Sequence, residues 1–112
     1  MFDKGRGVAE SDVEAARWFR KAADQGDADA QNNLGVMFDQ GRGVAQSDVE
    51  AARWFRKAAD QGHADAQYNL GTMFVQGRGV AQSDVESARW YSKAADQGHA
   101  DAQYNLGILL AV

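Results

Sequence analysis

Residues 41–76 of the chain read GRGVAQSDVEAARWFRKAADQGHADAQYNLGTMFVQ, and this stretch decides the fold because it occurs three times. Similar copies occupy residues 5–40 and 77–112, at a fixed period of 36 residues. The first and second copies differ at five positions, and the second and third differ at eight. Periods of about 20 to 50 residues are typical of solenoids, in which each unit buries its apolar face against a neighbour. We therefore expect residues 1–112 to form a single repeat domain.

The first helix of the stretch, here called helix B, is predicted over residues 48–61. Ser47 and Glu50 have the spacing of a capping box, in which each side chain bonds the backbone N–H of the other residue. Gly62 supplies the left-handed residue that ends the helix. Alanine and aromatic residues fall on one broad side of this helix, and basic residues fall on the other. This pattern predicts an amphipathic helix.

The second helix, here called helix A, is predicted over residues 64–76 and ends at Gly77. Gly71 lies in its middle, where glycine costs about 1 kcal/mol relative to alanine. We expect this cost to be offset by close approach of the helix to the alanines of helix B. The linker 77–82 is short, so helix A and the following helix B are predicted to form an antiparallel hairpin.

An ordered set of residues recurs through the copies: Ala66, Leu70, Gly71, Phe74, Gly77, Arg78, Gly79, Val80, Asp84, Ala88, Trp90, Tyr91, Lys93, Ala94, Ala95 and Gly98. This order resembles the Sel-one-like repeat, a relative of the tetratricopeptide repeats with a longer unit and an extra glycine turn. The resemblance implies an all-α fold, a right-handed α-solenoid of antiparallel helix hairpins. It also implies that the A helices line the concave side and the B helices the convex side. Members of that family are mostly adaptors and scaffolds in protein degradation, bacterial signalling and contact between bacteria and hosts.

The three periods (5–40, 41–76 and 77–112) are out of phase with these hairpins at both ends. Residues 1–4 align with the last turn of a helix A, so we expect them to end a truncated helix. The first helix B, predicted over residues 12–25, then lacks its own partner. The last helix A has no helix B after it. Either the chain is a fragment of a longer array, or its open ends associate between chains through apolar residues of the last helix. Those residues are Leu109, Leu110 and Val112.

Differences between the copies indicate where a partner would bind. Within helix A the first two copies disagree at three places: Asn32 against Tyr68, Val36 against Thr72, and Asp39 against Val75. Their spacing places all three within about 60° on the helical wheel, opposite the apolar side. The varying side is therefore predicted to face solvent, and the resemblance places it on the concave wall.

The first of these positions is a tyrosine in the second and third copies, Tyr68 and Tyr104. This favours protein binding, since exposed tyrosine is enriched at interfaces. Asn33, Asn69 and Asn105 stand beside the first variable position and could bond the backbone of a bound peptide. The predicted partner-binding residues are Asn32, Asn33, Val36, Asp39, Tyr68, Asn69, Thr72, Val75, Tyr104, Asn105 and Ile108. Two plainer readings stay open: the variation is drift at exposed positions, and Asn105 bonds the neighbouring repeat.

Composition argues against several other classes of function. The formal charge is −4, which removes the electrostatic reason to expect nucleic acid as partner, and cysteine is absent. No apolar run approaches the length needed for membrane insertion. His63 and His99, one period apart, are expected at about 10 Å, too far to share a metal ion, and read as N-caps or surface residues. No spacing puts a nucleophile beside a base, so we expect no enzyme activity, metal or cofactor.

Together with the resemblance, these patterns predict a non-enzymatic adaptor that binds another protein or an extended peptide along the concave face that the resemblance implies. The alternative is a structural solenoid whose open terminal helices pair between chains as a homo-oligomer. A distant alternative, taken from cysteine-rich relatives of the family, is a binder or hydrolase of β-lactam compounds. The compartment is left open: a complete chain is expected to be cytoplasmic, whereas a fragment is compatible with a periplasmic or secreted protein as well.

Overall fold

Six α-helices follow one another along the described residues and are joined by short turns. The computed structural model describes the backbone of residues 4–111 and the side chains of residues 11–111. The helices are α1 (Lys4–Asp24), α2 (Ala28–Gln40), α3 (Asp48–Asp60), α4 (Ala64–Gln76), α5 (Asp84–Asp96) and α6 (Ala100–Leu110). Helices α2, α4 and α6 are the A helices, and α1, α3 and α5 are the B helices. Each helix packs on the next one along the chain. The molecule measures 50 × 25 × 24 Å. The predicted all-α solenoid of helix hairpins is confirmed.

The helix ends follow the local sequence signals closely. Gly41 and Gly77 adopt the left-handed conformation and cap α2 and α4. Ser47 caps α3, with its hydroxyl accepting a hydrogen bond from the backbone N–H of Glu50 at 3.1 Å. The second half of the expected capping box is wrong. The Ser47 N–H donates to the carbonyl of Phe38 in the preceding helix, and the Glu50 carboxylate pairs with Arg53 instead.

The first copy departs from the predicted turn. Residues 5–11 are helical, so α1 runs without a break from Lys4 to Asp24 instead of beginning near Asp12. In the next copy the turn is held by a close contact, because a side chain on Gly43 would overlap the carbonyl oxygen of Asp12 in the preceding helix B. Among the described residues no helix precedes Gly5, so the same turn has nothing to pack against. Of the expected helix end at residues 1–4, residues 1–3 lie outside the described residues and Lys4 begins α1.

Glycine in the middle of the A helices makes room for an aromatic ring. A Cβ atom on Gly71 would lie 2.7 Å from Cδ1 of Tyr91, and one on Gly35 would lie 2.6 Å from Cδ1 of Phe55. The expected close approach at Gly71 is present, but it is made by the ring of Tyr91 and not by the alanines of helix B. The ring of the following helix B lies across each glycine, which sets the distance between the two helices of a hairpin.

The core runs along the middle of the solenoid and is built from alanine, leucine and aromatic side chains of both helix types. Trp54 and Trp90 are buried, at 7% and 5% exposure, whereas Trp18 at the same repeat position is 61% exposed. Arg20 of the preceding helix B lies 5.4 Å above the Trp54 ring, and Arg56 lies 5.9 Å above the Trp90 ring. Arg56 makes no ion pair with Asp60, and its guanidinium lies over the rings of Phe74 and Trp90 instead.

Candidate functional site

A cavity of about 330 Å³, here called the C-terminal pocket, opens between α4, α5 and α6. Its lining combines aliphatic side chains, two tyrosine rings, and amide and hydroxyl groups. The lining residues are Tyr68, Thr72, Val75, Gln76, Tyr91, Asn105, Ile108 and Leu109. Five of these belong to the predicted partner-binding set. The fold thus brings predicted residues of the second and third copies to one cavity.

A second cavity of about 250 Å³, the central pocket, lies one repeat earlier between α2, α3 and α4. Tyr68, Thr72 and Gln76 line both pockets, so the two cavities adjoin each other along α4. We call the pair the A-helix groove. The C-terminal pocket is formed with the last helix, α6, whereas the central pocket is followed by a complete repeat and is also open. A cavity of this kind is therefore a feature of the repeat and does not depend on its place at the end of the solenoid.

Tyr68 stands between the two pockets and is fixed on several sides. Its phenol oxygen accepts a hydrogen bond from Nδ2 of Asn105 at 3.0 Å. Its ring stacks on the imidazole of His99 with centroids 4.8 Å apart, and it lies 5.6 Å from the ring of Tyr91. The hydroxyl proton of Tyr68 is left free to donate. A rigid aromatic ring with a free donor is a binding group that pays little conformational entropy.

The C-terminal pocket contains a hydroxyl pair that the central pocket lacks. Thr72 Oγ1 donates to the carbonyl oxygen of Tyr68 at 3.2 Å and lies 2.9 Å from Tyr91 Oη. The corresponding residues one repeat earlier are Val36 and Phe55, which can form no hydrogen bond. Valine to threonine and phenylalanine to tyrosine have therefore changed together across one interface, and the pocket wall there is polar.

The asparagines bond between repeats. Nδ2 of Asn69 donates to Oδ1 of Asn32 at 3.0 Å, in the same way as Asn105 donates to Tyr68. Asn32 is only 8% exposed, so the expectation that it faces solvent is wrong. The helical wheel relates a residue to its own helix, whereas Asn32 is covered by the next repeat. Of the two readings of Asn105, the bond to the neighbouring repeat is the one observed.

The charge of the two pockets differs. In the central pocket the guanidinium of Arg78 pairs with Asp39 and lies 3.8 Å from the carboxylate of Asp48. The position of Asp39 is occupied in the C-terminal pocket by Val75, which is 37% exposed. No residue lining the C-terminal pocket is charged at neutral pH. A ligand in that pocket therefore meets only neutral groups.

The histidines cap the A helices and also tie the repeats together. Nδ1 of His63 accepts from the backbone N–H of Ala66 at 3.2 Å, and Nε2 lies 2.8 Å from Oδ1 of Asp29. Because Nδ1 accepts, the proton is on Nε2, which donates to the aspartate. His99 makes the same pair of bonds, with Asp65 as partner. The interpretation of both residues as N-caps is confirmed.

The remaining predicted residues are spread over different degrees of exposure. Exposed members of the set are Asn33, Val75, Tyr104 and Ile108, and partly exposed members are Val36, Asp39, Tyr68, Asn69, Thr72 and Asn105. Sequence reasoning missed Gln76 and Tyr91, which line the C-terminal pocket. Tyr91 differs from Phe55 in the previous copy, so the comparison made for helix A would have found it in helix B.

The two described residues predicted for self-association differ in exposure. Leu110 is 69% exposed, Leu109 is partly buried and lines the C-terminal pocket, and Val112 lies outside the described residues. Within residues 4–111 no helix has the length and apolar character to cross a bilayer. Among residues 11–111, whose side chains are described, no three acidic or histidine side chains converge as metal ligands would.

The fold is a helical repeat solenoid, and its A-helix groove contains two pockets that lie one repeat apart. The sequence matches the Sel1 repeat family at residues 1–27, 28–63, 64–99 and 100–111. Each of the two complete matched units is an A helix followed by its B helix. The chain belongs to the Sel1 repeat family. Proteins of this family are generally protein-interaction scaffolds and are typically non-catalytic.

Solved structures show the same fold. The chain is 41% identical to c5321, a protective antigen of uropathogenic Escherichia coli with an SLR fold, with a TM-score of 0.85 over 87% of this chain and 21% of that one. A Sel1 repeat protein from Oxalobacter formigenes is also 41% identical, with a TM-score of 0.82 over 86% of this chain and 40% of that one. The chain thus spans less than half the length of either protein.

A more distant likeness shows the fold alone. Helicobacter pylori cysteine rich protein B is 24% identical, with a TM-score of 0.77 over 81% of this chain and 68% of that chain. No curated protein matches this sequence.

Proposed function

We propose that the chain is a non-enzymatic adaptor that binds a partner protein through an extended peptide segment laid along the A-helix groove. The observation that carries the proposal is the C-terminal pocket, where five independently predicted residues line one cavity of about 330 Å³. Pockets that combine apolar walls with a few convergent polar groups are the usual form of a binding site. The protein-interaction role of the family supports the same function.

The differences between copies support this use of the groove. Val36, Asp39 and Phe55 in the central pocket correspond to Thr72, Val75 and Tyr91 in the C-terminal pocket. The buried packing residues do not differ in this way. Leu34 and Leu70 occupy the same repeat position and are 1% and 0% exposed. A solenoid that reads a partner through successive pockets would vary the pocket residues and retain the packing ones.

The experiment that tests this function is selection from a random peptide library displayed on phage, followed by binding measurements on two variants. Val75→Glu places a carboxylate in the groove, at a position where the first copy already has an aspartate. Val49→Glu makes the same change on helix B, where the valine is 59% exposed and lies outside both pockets. The selected peptides are expected to lose affinity for Val75→Glu only. Equal affinity for the parent protein and both variants would contradict the proposal.

A second function, self-association through the terminal helices, is favoured by the exposure of two side chains. Trp18 is 61% exposed, whereas Trp54 and Trp90 at the same repeat position are buried. Leu110 is 69% exposed, whereas Phe74 at its repeat position is 7% exposed. In this candidate, Trp18 of one chain packs on Leu110 of another, as Trp54 and Trp90 pack on the preceding repeat.

Light scattering over a range of concentrations tests that function. An oligomer that Leu110→Glu dissociates and Arg53→Glu leaves intact would support it. A monomer at every concentration would contradict it.

A further inference from the structure

We propose that the exposed face of the B helices binds an acidic peptide segment of a partner protein through a row of basic side chains. The row, here called the B-helix band, consists of Arg20, Lys21, Arg56, Lys57 and Lys93. None of these residues lines either pocket of the A-helix groove. The inference therefore concerns a second surface and is independent of the proposed function.

The basic side chains of residues 11–111 divide into two groups. Those of the first group pair with carboxylates: Arg17, Arg42, Arg53, Arg78 and Arg89. Those of the second group are the five members of the B-helix band, which are exposed and have no carboxylate oxygen within 4.0 Å among the described side chains. The chain has a formal charge of −4, so the band is a basic region on a protein that is acidic as a whole.

Tryptophan rings connect the basic residues of successive copies. Arg20 of α1 and Lys57 of α3 share the ring of Trp54, with Cζ and Nζ at 5.4 and 4.8 Å from the ring centroid. The same arrangement recurs one repeat later, at 5.9 and 5.6 Å, in a second set: Arg56, Lys93 and Trp90. Two positive charges from different copies therefore lie close together at each ring, with no carboxylate beside either.

The two shared rings belong to one row. Arg56 and Lys57 are neighbours in sequence, and each lies over the ring of a different tryptophan, so the two sets are joined. The row ends at Lys93, because Ser92 occupies the position of Arg56 in the third copy. A partner that crosses the B helices therefore meets basic groups on all three of them.

Carboxylates are the groups that complement this arrangement. Like charges that lie close together repel each other, and a carboxylate placed beside such a pair is attracted by both of its members. The rings also restrict the basic side chains, since cations are attracted to the face of an aromatic ring. Side chains that are already restricted lose less conformational entropy on binding, which favours affinity.

The surroundings of the band favour a short peptide over a long polyanion. In α3, Glu50 precedes the basic residues and Asp60 ends the helix, so acidic groups border the band on both sides. The same order of acidic, basic and acidic residues occurs in α1 and α5. A wide polyanion would meet these borders, and nucleic acid or an anionic membrane would also be repelled at long range by the negative charge of the chain.

The test is fluorescence anisotropy with two labelled peptides and the intact chain at low ionic strength. The first peptide alternates glutamate with serine, and the second has glutamine in place of every glutamate. The first peptide is expected to bind at least about tenfold more tightly than the second, and its affinity should fall as salt is added. Equal affinity of the two peptides overturns the inference.

Two double variants with the same formal charge of −6 locate the binding. Lys57→Gln with Lys93→Gln removes two cations of the band, and Ala45→Glu with Ala81→Glu adds two carboxylates at exposed turn positions outside it. The first double variant is expected to weaken binding of the acidic peptide about three- to tenfold, as the loss of two exposed ion pairs would. The second should weaken it less, and equal weakening by both overturns the inference.

A third double variant separates charge from folding. Lys57→Arg with Lys93→Arg keeps both positive charges and is expected to keep the affinity for the acidic peptide. Circular dichroism checks that all three double variants retain their helices. Loss of binding in the arginine variant, with helices retained, would contradict a role for the charges.

Two other anionic ligands decide the class of partner: single-stranded DNA and vesicles that contain an anionic lipid. Both are expected to bind the chain more weakly than the acidic peptide does. Tighter binding of either ligand, lost in the Lys57→Gln and Lys93→Gln double variant, would show that the band serves another class of partner and overturns the inference.

Discussion

Thr72 Oγ1 lies 2.9 Å from Tyr91 Oη, across the interface where the preceding repeat has Val36 and Phe55. The two residue pairs occupy the same repeat positions, but one pair forms a hydrogen bond and the other makes an apolar contact. Tyr91 is 3% exposed, so its side chain has little contact with bulk water. One chain thus contains both a hydrogen-bonded and an apolar version of the same contact.

Replacing the hydrogen-bonded pair by the apolar pair tests how the contact stabilises the fold. Thr72→Val leaves the Tyr91 hydroxyl unpaired and is expected to lower the free energy of unfolding by about 1–2 kcal/mol. Tyr91→Phe is expected to lower it by about 1 kcal/mol. The double variant should be destabilised by less than the sum, with a coupling of about 0.5–1 kcal/mol. Urea unfolding of the four proteins measures this, and strictly additive effects would show that the hydroxyls do not interact.

Two glycines at the same repeat position are expected to respond in opposite directions to alanine. Gly107→Ala adds a methyl group in open space and should stabilise the helix by about 0.5–1 kcal/mol. Gly71→Ala drives the same methyl group into the Tyr91 ring and should destabilise by about 1–3 kcal/mol. Thermal unfolding of both variants measures the difference. Stabilisation by Gly71→Ala would mean that the ring does not lie across this glycine.

His99 combines a helix cap, a bond between repeats and a stacking contact. His99→Ala removes the cap on the Ala102 N–H, the bond to Asp65 and the stack on Tyr68, and is expected to cost about 1–2 kcal/mol. His99→Asn restores only the cap and should recover about 1 kcal/mol of the loss. Chemical unfolding followed by circular dichroism compares the two variants, and equal losses would argue against the cap.

The helix boundaries were predictable because the signals that set them are local. Ser47, Gly62 and Gly77 act within a turn of their own position, and α3 and α4 begin and end within one residue of the prediction. The extension of α1 through residues 5–11 was not predictable in this way. The turn in that segment depends on contact with a preceding helix, as that of Gly43 with Asp12 shows, and a single copy of the pattern does not reveal whether that contact exists.

The site was predictable in part, for a related reason. Differences between copies pointed to Thr72, Val75 and Ile108, which share one pocket. The same comparison gave Asn32 the wrong exposure, because a wheel drawn for one helix omits the neighbouring repeat that covers it. The pair of Thr72 and Tyr91 joins different helices, so only their joint change between copies indicates the contact.

Nuclear magnetic resonance shows whether a partner peptide binds along the A-helix groove. The ¹⁵N-labelled chain is titrated with a library-selected peptide, and amide shift changes are mapped along the sequence. Binding along the groove is expected to cause the largest changes at five lining residues: Tyr68, Thr72, Val75, Asn105 and Ile108. Changes confined to the first turns of α3 and α5, around Val49 and Val85, would contradict it.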